Sequence, residues 1–478
     1  MLIRQATIHL SANVLSALLG LLSVFVFTRL FSTHDYGVYL LGVGFASVIG
    51  VALIGWSRNL ILSEHGKNDG TDIRGVVLSG YFVACLGAPI AYGVGRLVGL
   101  EPVAALAAVA LAIAVGLFEL TQDLVRARLL AATALKGTLV RALGVLCLGV
   151  VFTMVDRTGF VLLISSALAY LLATWVQTGA WRGTKVNFDG DALLEAAKLG
   201  LPLTISLTLL AVSSVTDRFM IANLIGAADA GKYIAGLDLV RQTLMMPAIS
   251  AAAAFFPLAV LLRSRYGDGA VRAHLGECAE LLFSITLPAC LGFAMIAPHI
   301  ANVVLGADFR DTAAAVMPVI AFAVLFQVLT QQYLHVSFLL SGRNSFYLIN
   351  TVSIIAVNLL LSYLLIERFG VIGAAWGRLG ADAFGLACAL ILSRRAFAVP
   401  IPTGRMALIM IAGLVMALVV GALDRHLQGQ ELMACLILTA VGVASYAALC
   451  WAFDIARFRA RSKTGLTLFR ARFARVGI

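Results

Sequence analysis

The fold is decided by the stretch TRLFSTHDYGVYLLG at residues 28–42, because ANLIGAADAGKYIAG at residues 222–236 repeats it at a constant offset of 194. Five of the fifteen aligned positions are identical. They are Leu30/Leu224, Asp35/Asp229, Gly37/Gly231, Tyr39/Tyr233 and Gly42/Gly236. Each copy joins one long apolar segment to the next, which predicts a duplicated helical chain. Such duplication is typical of membrane transporters.

Composition independently predicts a membrane protein. The 478 residues are 61% hydrophobic and only 12% charged, with a mean hydropathy of +0.98. A soluble chain is about 25% charged. Because a spanning helix needs about 20 mainly apolar residues, we predict an all-α polytopic fold of about fourteen transmembrane helices. The segments are 6–29, 36–57, 75–96, 102–122, 138–155, 159–181, 199–221, 230–258, 278–300, 312–336, 346–366, 372–393, 405–423 and 431–452.

The duplication divides these helices into two lobes. The predicted regions are an N-terminal six-helix lobe at 1–181, a cytoplasmic linker at 182–198, a second six-helix lobe at 199–396, two additional helices at 397–452 and a basic amphipathic cytoplasmic tail at 453–478. Since six is an even number, both lobes enter the membrane from the same side and the repeat is parallel. Twelve helices is the alternative, because Gly and Arg interrupt the third to sixth segments.

The distribution of Lys and Arg sets the predicted orientation. With the N-terminus in the cytoplasm, the inward loops and both termini hold 25 of the 35 basic residues, and the outward loops and helix ends hold seven. The other three, Arg218, Arg241 and Arg378, fall within apolar segments. We therefore predict a multi-pass protein of the cytoplasmic (inner) membrane with both termini cytoplasmic. The net charge of +11 then reflects topology and does not indicate nucleic-acid binding.

Three stretches resemble the polysaccharide-transport flippases. They are RLFSTHDYGVYLLG at 29–42, GLPLTISLTLLAVSSVTDRFMIANLIG at 200–226 and RFGVIGAAWG at 368–377. These oligosaccharide and O-antigen-type flippases share a superfamily with the multidrug-and-toxin extrusion antiporters and the lipid II flippase. The resemblance implies a V-shaped pair of six-helix bundles that opens alternately to either side of the membrane. It also implies a polyprenyl-diphosphate-linked oligosaccharide as cargo.

Ionisable side chains inside predicted helices are functional candidates, because each costs about 2.5–3.5 kcal/mol at the bilayer centre. Arg218, Arg241 and Arg378 lie on three helices of the second lobe. If they converge, they form a cationic cavity for a diphosphate, which guanidinium groups bind bidentately. Arg29, at the outer end of the first helix, is the contribution of the first lobe. The alternative for Arg29 is an interface residue whose charge reaches the polar headgroups.

Three aspartates accompany these arginines and are assigned to the uptake of H⁺ or Na⁺. They are Asp217, Asp238 and Asp382. Asp217 is adjacent to an arginine, so the two side chains point about 100° apart and cannot share one helix face. Asp238 and Asp382 are spaced three and four residues from arginines, which allows a local ion pair. A structural ion pair is therefore the alternative for each aspartate.

Polar amides predict contacts with the sugar. Gln327, Gln331 and His335 are spaced by four residues on the tenth helix. Amides supply both donors and acceptors, which sugar hydroxyls require, so Gln327 and Gln331 are assigned to cargo binding. Interhelical hydrogen bonding is the alternative, and it applies equally to Asn350 and Asn358 on the next helix.

Glu119 and Asp123 share one face near the inner end of the fourth helix, one turn from Arg126. They predict either a salt-linked rim at this end of the helix or a gate. All seven cysteines fall in apolar segments, so we expect no disulfide, no metal site and no cofactor.

Four classes of function compete. A flippase for lipid-linked oligosaccharide serves lipopolysaccharide, exopolysaccharide or capsule synthesis, and its partners are the cargo, membrane lipids, H⁺ or Na⁺, and a polymerase or glycosyltransferases of the pathway. A cation-coupled antiporter of small cationic drugs is the alternative on the same scaffold. An enzyme is disfavoured, because no outward loop exceeds about a dozen residues and catalytic carboxylates or His need an aqueous site. A structural scaffold leaves the intramembrane charges unexplained.

Overall fold

The computed structural model describes residues 2–64, 73–184, 186, 188–253, 255–427 and 429–459, with side chains from residue 15 onward except 62–64. The described chain consists of helices and turns without a strand, which confirms the predicted all-α class. The α-helices are α1 (Leu2–Leu30), α2 (Thr33–Glu64), α3 (Arg74–Cys85), α4 (Ala88–Leu97), α5 (Pro102–Ala127), α6 (Ala131–Phe152), α7 (Gly159–Trp175), α8 (Gly190–Leu224), α9 (Ala227–Ala252), α10 (Phe255–Val304), α11 (Ala307–Val328), α12 (His335–Leu340), α13 (Asn344–Arg395), α14 (Thr403–Asp424) and α15 (Glu431–Phe453).

Within the described residues, nine helical stretches are long and apolar enough to cross a membrane, or ten if the bent pair α3–α4 is one span. The protein is therefore polytopic, but the count of fourteen is not confirmed. The helix α13 contains two of the predicted segments, and the stretch Ala227–Val304 contains two more. The apolar helices Leu15–Leu30 and α7 are shorter than the others.

Two long helices break at glycines. Gly267 in α10 has a φ of 76° and Gly370 in α13 has a φ of 60°. Only glycine adopts a positive φ readily, so each of these residues ends one helical segment and starts the next. Gly370 separates the predicted segments 346–366 and 372–393, so α13 consists of two helical segments where the apolar pattern shows two runs.

The chain folds as two compact units. The first unit comprises Met1–Ala235, Val304–Arg310 and Ser362–Ala374, and the second comprises Gly236–Val303, Asp311–Leu361 and Ala375–Ile478. The predicted lobe and linker boundaries stay a prediction. Residues 460–478 of the predicted tail lie outside the described residues.

In the first unit, α2 packs against α5, α7 and α8, while α6 packs against α1 and α7. Inside a membrane, helices associate largely through close packing at small residues. Gly200 of α8 shows this packing, because a Cβ atom there would collide with the carbonyl oxygen of Trp56 in α2. Asn59 adds a hydrogen bond of 3.2 Å from its Nδ2 to Oγ1 of Thr204 on the same pair of helices.

The two copies of the sequence repeat contact each other in the first unit. Gly37 in α2 and Gly231 in α9 are equivalent positions, and they lie against each other. A Cβ atom on Gly231 would lie 2.8 Å from the Gly37 Cα and 2.6 Å from the carbonyl oxygen of Thr33. A Cβ atom on Gly37 would collide with the carbonyl oxygen of Ala227, which is equivalent to Thr33. The contact is thus self-complementary, as at a two-fold interface.

The ends of α1 and α8 repeat a second contact. Arg29 donates from Nη1 to the carbonyl oxygen of Val304 at 2.8 Å. Asn223, which occupies the equivalent position 194 residues later, donates from Nδ2 to the carbonyl oxygen of Val98 at 3.1 Å. Each side chain also donates to the carbonyl four residues earlier in its own helix. The equivalent residues Arg29 and Asn223 therefore make similar contacts at the ends of their helices.

In the second unit, His299 of α10 connects to both of the last two helices. Its Nε2 lies 2.7 Å from Oδ1 of Asp424 in α14, and its Nδ1 lies 2.6 Å from Oε2 of Glu431 in α15. Carboxylates only accept hydrogen bonds, so a doubly protonated imidazole satisfies both partners. The contact fastens the hairpin of α14 and α15 to α10.

Candidate transport site

Helix α8 places Asp217 and Arg218 on different sides, as predicted from their adjacency. Asp217 is fully buried, and its Oδ2 accepts a hydrogen bond of 2.7 Å from the Tyr233 hydroxyl on α9. Among the described residues, no cation forms an ion pair with Asp217. The buried Arg218 side chain instead lies beside α2, where a Cβ atom on Gly44 would be 4.0 Å from its Cδ.

The predicted pair on α13 is present. Nε of Arg378 lies 2.8 Å from Oδ2 of Asp382, and the two side chains are only 5% and 3% exposed. This geometry is the one that a structural ion pair requires. Asp238 and Arg241 are half-buried on α9. The roles of these four residues in cargo binding and ion coupling stay predictions.

Arg29 lies exposed at the end of α1. Its guanidinium group stacks on the ring of Phe25, 3.6 Å from the ring centroid, in addition to the contact with Val304. The Arg29 side chain therefore connects the end of α1 to Val304 within the first unit. A role in binding the diphosphate stays a prediction.

The helix that carries the two predicted glutamines is not regular. α11 ends at Val328 and continues as a π-helical turn, Leu329–Leu334. Gln327 is buried at the end of α11, and Gln331 is half-buried within the π turn. π turns are rare and occur frequently at functional sites. The sequence spacing predicted an ordinary α-helix here, because polar residues four apart carry no sign of a wider turn.

His335 and Asn350 form the interhelical contact that was the alternative to sugar binding. Nδ2 of Asn350 lies 3.1 Å from Nε2 of His335, and both residues are buried. The His335 ring also packs edge-on against Tyr347 with centroids 4.6 Å apart. The buried Oδ1 of Asn350 has no hydrogen-bond partner among the described residues.

The carboxylates of α5 belong to a salt-linked rim. Arg58 on α2 places Nη2 2.9 Å from Oε2 of Glu119 and Nε 2.8 Å from Oδ2 of Asp123. Arg126 lies 3.8 Å from the other oxygen of Asp123. The sequence did not identify Arg58 as the partner of these two carboxylates. Its signal was a cation directly after the apolar run 36–57.

Arg141 is a second residue that the sequence did not single out. The predicted fifth segment, 138–155, has Arg141 as its fourth residue, near one end. The helix α6 begins at Ala131, so Arg141 is the eleventh of its 22 residues and lies in the middle of a candidate span. An arginine at that depth is a functional candidate.

The second unit contains an apolar cavity of about 800 Å³. Helices α9, α10, α14 and α15 line it, and within the part of the chain that the structure describes its lining contains no acidic or basic side chain. Its polar lining includes Ser284 and Tyr446, which already share a hydrogen bond of 2.9 Å from the Tyr446 hydroxyl to the Ser284 carbonyl. The cavity therefore suits an apolar chain and offers no counter-ion to a cation.

The predicted site residues are distributed over both units. The first unit holds Arg29, Asp217 and Arg218. The second unit holds Asp238, Arg241, Gln327, Gln331, Arg378 and Asp382. Their convergence on one cavity stays a prediction.

Residues 26–314, more than half of the chain, match the family described as "Polysaccharide biosynthesis protein". The chain belongs to this family. None of the curated proteins compared with the chain matches it.

The fold of this polysaccharide biosynthesis protein is similar to that of known transporters. The structure of "Lipid II flippase MurJ, inward closed conformation" has a TM-score of 0.76 at 14% identity, covering 92% of this chain and 97% of that one. An inward-facing multidrug resistance MATE family transporter of the MOP superfamily has a TM-score of 0.62 at 15% identity, covering 82% and 98%. At these identities the likeness shows the fold. The chain is a multi-pass membrane protein of the polysaccharide biosynthesis family with a fold similar to that of these transporters.

Proposed function

We propose that the chain is a flippase that moves a polyprenyl-diphosphate-linked oligosaccharide from the inner to the outer leaflet of the cytoplasmic membrane by alternating access. The product enters a surface polysaccharide, whether lipopolysaccharide, exopolysaccharide or capsule. Membership of a polysaccharide biosynthesis family and the fold of a lipid flippase support this proposal. The fold of the MATE transporter supports the alternative, an antiporter of small cationic drugs.

The observation that carries the proposal is the apolar cavity of the second unit. A polyprenyl chain needs an extended apolar surface, and the cavity of about 800 Å³ is lined by apolar and uncharged polar side chains from four helices. A small cationic drug needs an acidic partner in a site of low dielectric constant. The described lining residues include no carboxylate, which favours a lipid-linked cargo.

The charged candidates divide into two roles under this proposal. Arg29, Arg218, Arg241 and Arg378 bind the diphosphate, while Gln327 and Gln331 contact the sugar. Of the three predicted ion-coupling aspartates, Asp217 is favoured, because a fully buried carboxyl group without a cationic partner is costly when charged. Uptake of H⁺ or Na⁺ removes that cost.

The test is mass spectrometry of lipid extracts from cells depleted of the protein. We expect a polyprenyl-diphosphate glycan to accumulate and to clear when the wild-type chain returns. Ala447→Phe places a larger side chain from α15 in the cavity, so cells with this variant should fail to clear the glycan. Leu436→Phe, at a 61% exposed position of α15 outside the cavity, is the matched control and should clear it. Absence of accumulated glycan together with new sensitivity to cationic compounds would instead support the drug antiporter.

A further inference from the structure

Arg141 is a cation at mid-depth of the first unit without an acidic partner among the described residues. It is the eleventh of the 22 residues of α6, so about 15 Å of helix extends to either end. Arg378 and Arg58 differ from it, because Arg378 has Asp382 and Arg58 has Glu119 and Asp123 as partners. A buried or half-buried cation without a counter-ion is costly inside a membrane.

Two hydroxyl groups accept hydrogen bonds from Arg141. Its Nη2 donates to Oγ of Ser16 on α1 at 2.8 Å, and its Nη1 donates to the hydroxyl of Tyr170 on α7 at 3.3 Å. Each hydroxyl uses an acceptor lone pair for the guanidinium group, so its own proton points elsewhere. Among the described residues, no acceptor takes either of those protons.

The three side chains are also held in place. The Tyr170 ring lies edge-on against Phe118 of α5 with centroids 5.4 Å apart, and the Arg141 guanidinium carbon is 5.5 Å from the Tyr170 centroid. Ser16 is near the middle of α1, as Arg141 is of α6. Two hydroxyl protons and the guanidinium N–H groups that remain form a preorganised set of donors around one positive charge.

A donor set of this kind recognises an anion with several acceptor oxygens, and phosphate oxygens fit it best. The headgroups of the surrounding lipids lie about 15 Å from the bilayer centre, half of a hydrocarbon core of about 30 Å. The phosphate of a lipid reaches mid-depth only when a transporter carries it across. Inorganic phosphate or diphosphate could reach the same position only through an aqueous path.

We propose that Arg141, Ser16 and Tyr170 form a binding site for the diphosphate of the transported lipid, additional to the arginines predicted from the sequence. The site rests on the proposed function, because the cargo supplies the diphosphate. The guanidinium group binds the phosphate oxygens bidentately, and the two hydroxyls donate to oxygens that remain. The cargo neutralises Arg141 during its passage.

The test measures binding of farnesyl diphosphate to the purified full-length chain in nanodiscs of zwitterionic lipid. We expect Arg141→Gln to weaken binding at least tenfold, because it removes the charge but keeps a polar side chain. Arg141→Lys should weaken it less, since an ammonium group keeps the charge but lacks the planar fork. Ser16→Ala and Tyr170→Phe should each weaken binding about two- to fivefold, the loss of one hydrogen bond of about 0.5–1 kcal/mol.

Three controls separate the possible causes of weaker binding. Arg128→Gln changes an arginine of the same unit that donates to the carbonyl of Ala180 at 2.9 Å, and it should bind like the wild type. Farnesol, which lacks phosphate, should bind the wild type and Arg141→Gln equally. Arg141→Gln should unfold at the same temperature as the wild type or higher, because it removes an unpaired charge. A lower unfolding temperature, or equal loss of farnesol binding, would assign Arg141 a structural role and overturn the proposal.

Two further measurements distinguish the source of the phosphate. Inorganic diphosphate should compete with farnesyl diphosphate for the wild type but not for Arg141→Gln, and this result supports the site. Nanodiscs with phosphatidylglycerol that remove the effect of Arg141→Gln would assign the site to a lipid headgroup and overturn the proposal.

If the wild type clears the glycan from cells while Arg141→Gln binds farnesyl diphosphate normally, this site fails and the flippase stands. If the wild type clears no glycan but binds diphosphate through Arg141, the flippase fails and the anion site stands.

Discussion

At the scale of single residues, Asp217 and Asp382 differ in what surrounds a buried carboxyl group. Asp382 has the guanidinium group of Arg378 at 2.8 Å, whereas Asp217 has the hydroxyl of Tyr233 at 2.7 Å. A hydroxyl donor stabilises a carboxylate less than a paired cation does. The buried Asp217 carboxyl group therefore has a neutral partner, whereas the Asp382 carboxyl group has a cationic one.

We expect Asp217→Asn to fold normally and to lose dependence on an ion gradient, with transport reduced at least tenfold. The amide oxygen still accepts from Tyr233, so the contact between α8 and α9 persists while the exchangeable proton site is removed. The measurement is the rate at which a fluorescent lipid-linked glycan is flipped in proteoliposomes, with and without an imposed pH gradient. Tyr233→Phe is the control that keeps the carboxyl group and should keep the gradient dependence. A gradient response in Asp217→Asn equal to that of the wild type would contradict the assignment.

The pair of Arg378 and Asp382 allows a test that separates structure from cargo binding. Removing one member of a buried pair typically costs about 3–5 kcal/mol, whereas replacing both with apolar residues is often neutral. We expect Arg378→Ala and Asp382→Ala each to lower the thermal unfolding temperature. The double variant Arg378→Met with Asp382→Leu should recover it but remain inactive, since the diphosphate loses an arginine. Recovery of transport along with stability would show that the pair serves only the fold.

At the scale of helices, the crossing of α2 and α9 depends on two glycines that the repeat makes equivalent. We expect Gly37→Ala and Gly231→Ala each to separate the two helix starts, because either methyl group meets backbone atoms that cannot move aside. Reaction of a cysteine at Thr33 with a membrane-impermeant maleimide should increase severalfold in these variants. Gly93→Ala is the control, since nothing lies within 4 Å of a Cβ atom there. Unchanged reactivity in both variants would show that the crossing tolerates separation.

The helices themselves were predictable from the sequence, because each apolar run of about 20 residues needs a helix to satisfy its backbone in a membrane. Their ends were not. A helix continues past an apolar run when neighbouring helices stabilise it, and α6 therefore starts seven residues before the predicted position 138, at Ala131. That shift moved Arg141 from the predicted membrane edge to mid-span.

Partners across helices were the other part that the sequence could not supply. Local spacing correctly paired Arg378 with Asp382, because residues four apart meet on one helix. The contact between Arg58 and Glu119 joins residues 61 positions apart, and no local pattern encodes it. The self-complementary contact of Gly37 and Gly231 was encoded as a repeat, but only the folded chain shows that the two copies touch.

At the scale of the whole molecule, the charge that crosses the membrane determines how the potential drives transport. Moving one elementary charge across 100 mV is worth about 2.3 kcal/mol, which changes an equilibrium about fiftyfold. A diphosphate cargo is anionic, so a potential that is negative inside pushes the loaded carrier outward. If the arginines that neutralise the cargo moved across with it, the loaded carrier would cross with little net charge. The electrical work would then accompany the return of the empty, positively charged carrier.

Our final prediction concerns which of these two steps responds to voltage. Arg141 and Arg218 are fixed in the helices of the first unit, so we expect them to stay in the membrane while the diphosphate passes. The loaded step should then carry net negative charge, and flipping in proteoliposomes should accelerate as a potassium diffusion potential is made more negative on the loading side. Asp217→Asn should keep this acceleration, because its proton moves in the return step. Single-turnover flipping measures the loaded step alone, whereas multiple turnovers include the return step. If only the multiple-turnover rate depended on voltage, the charge would move with the empty carrier instead.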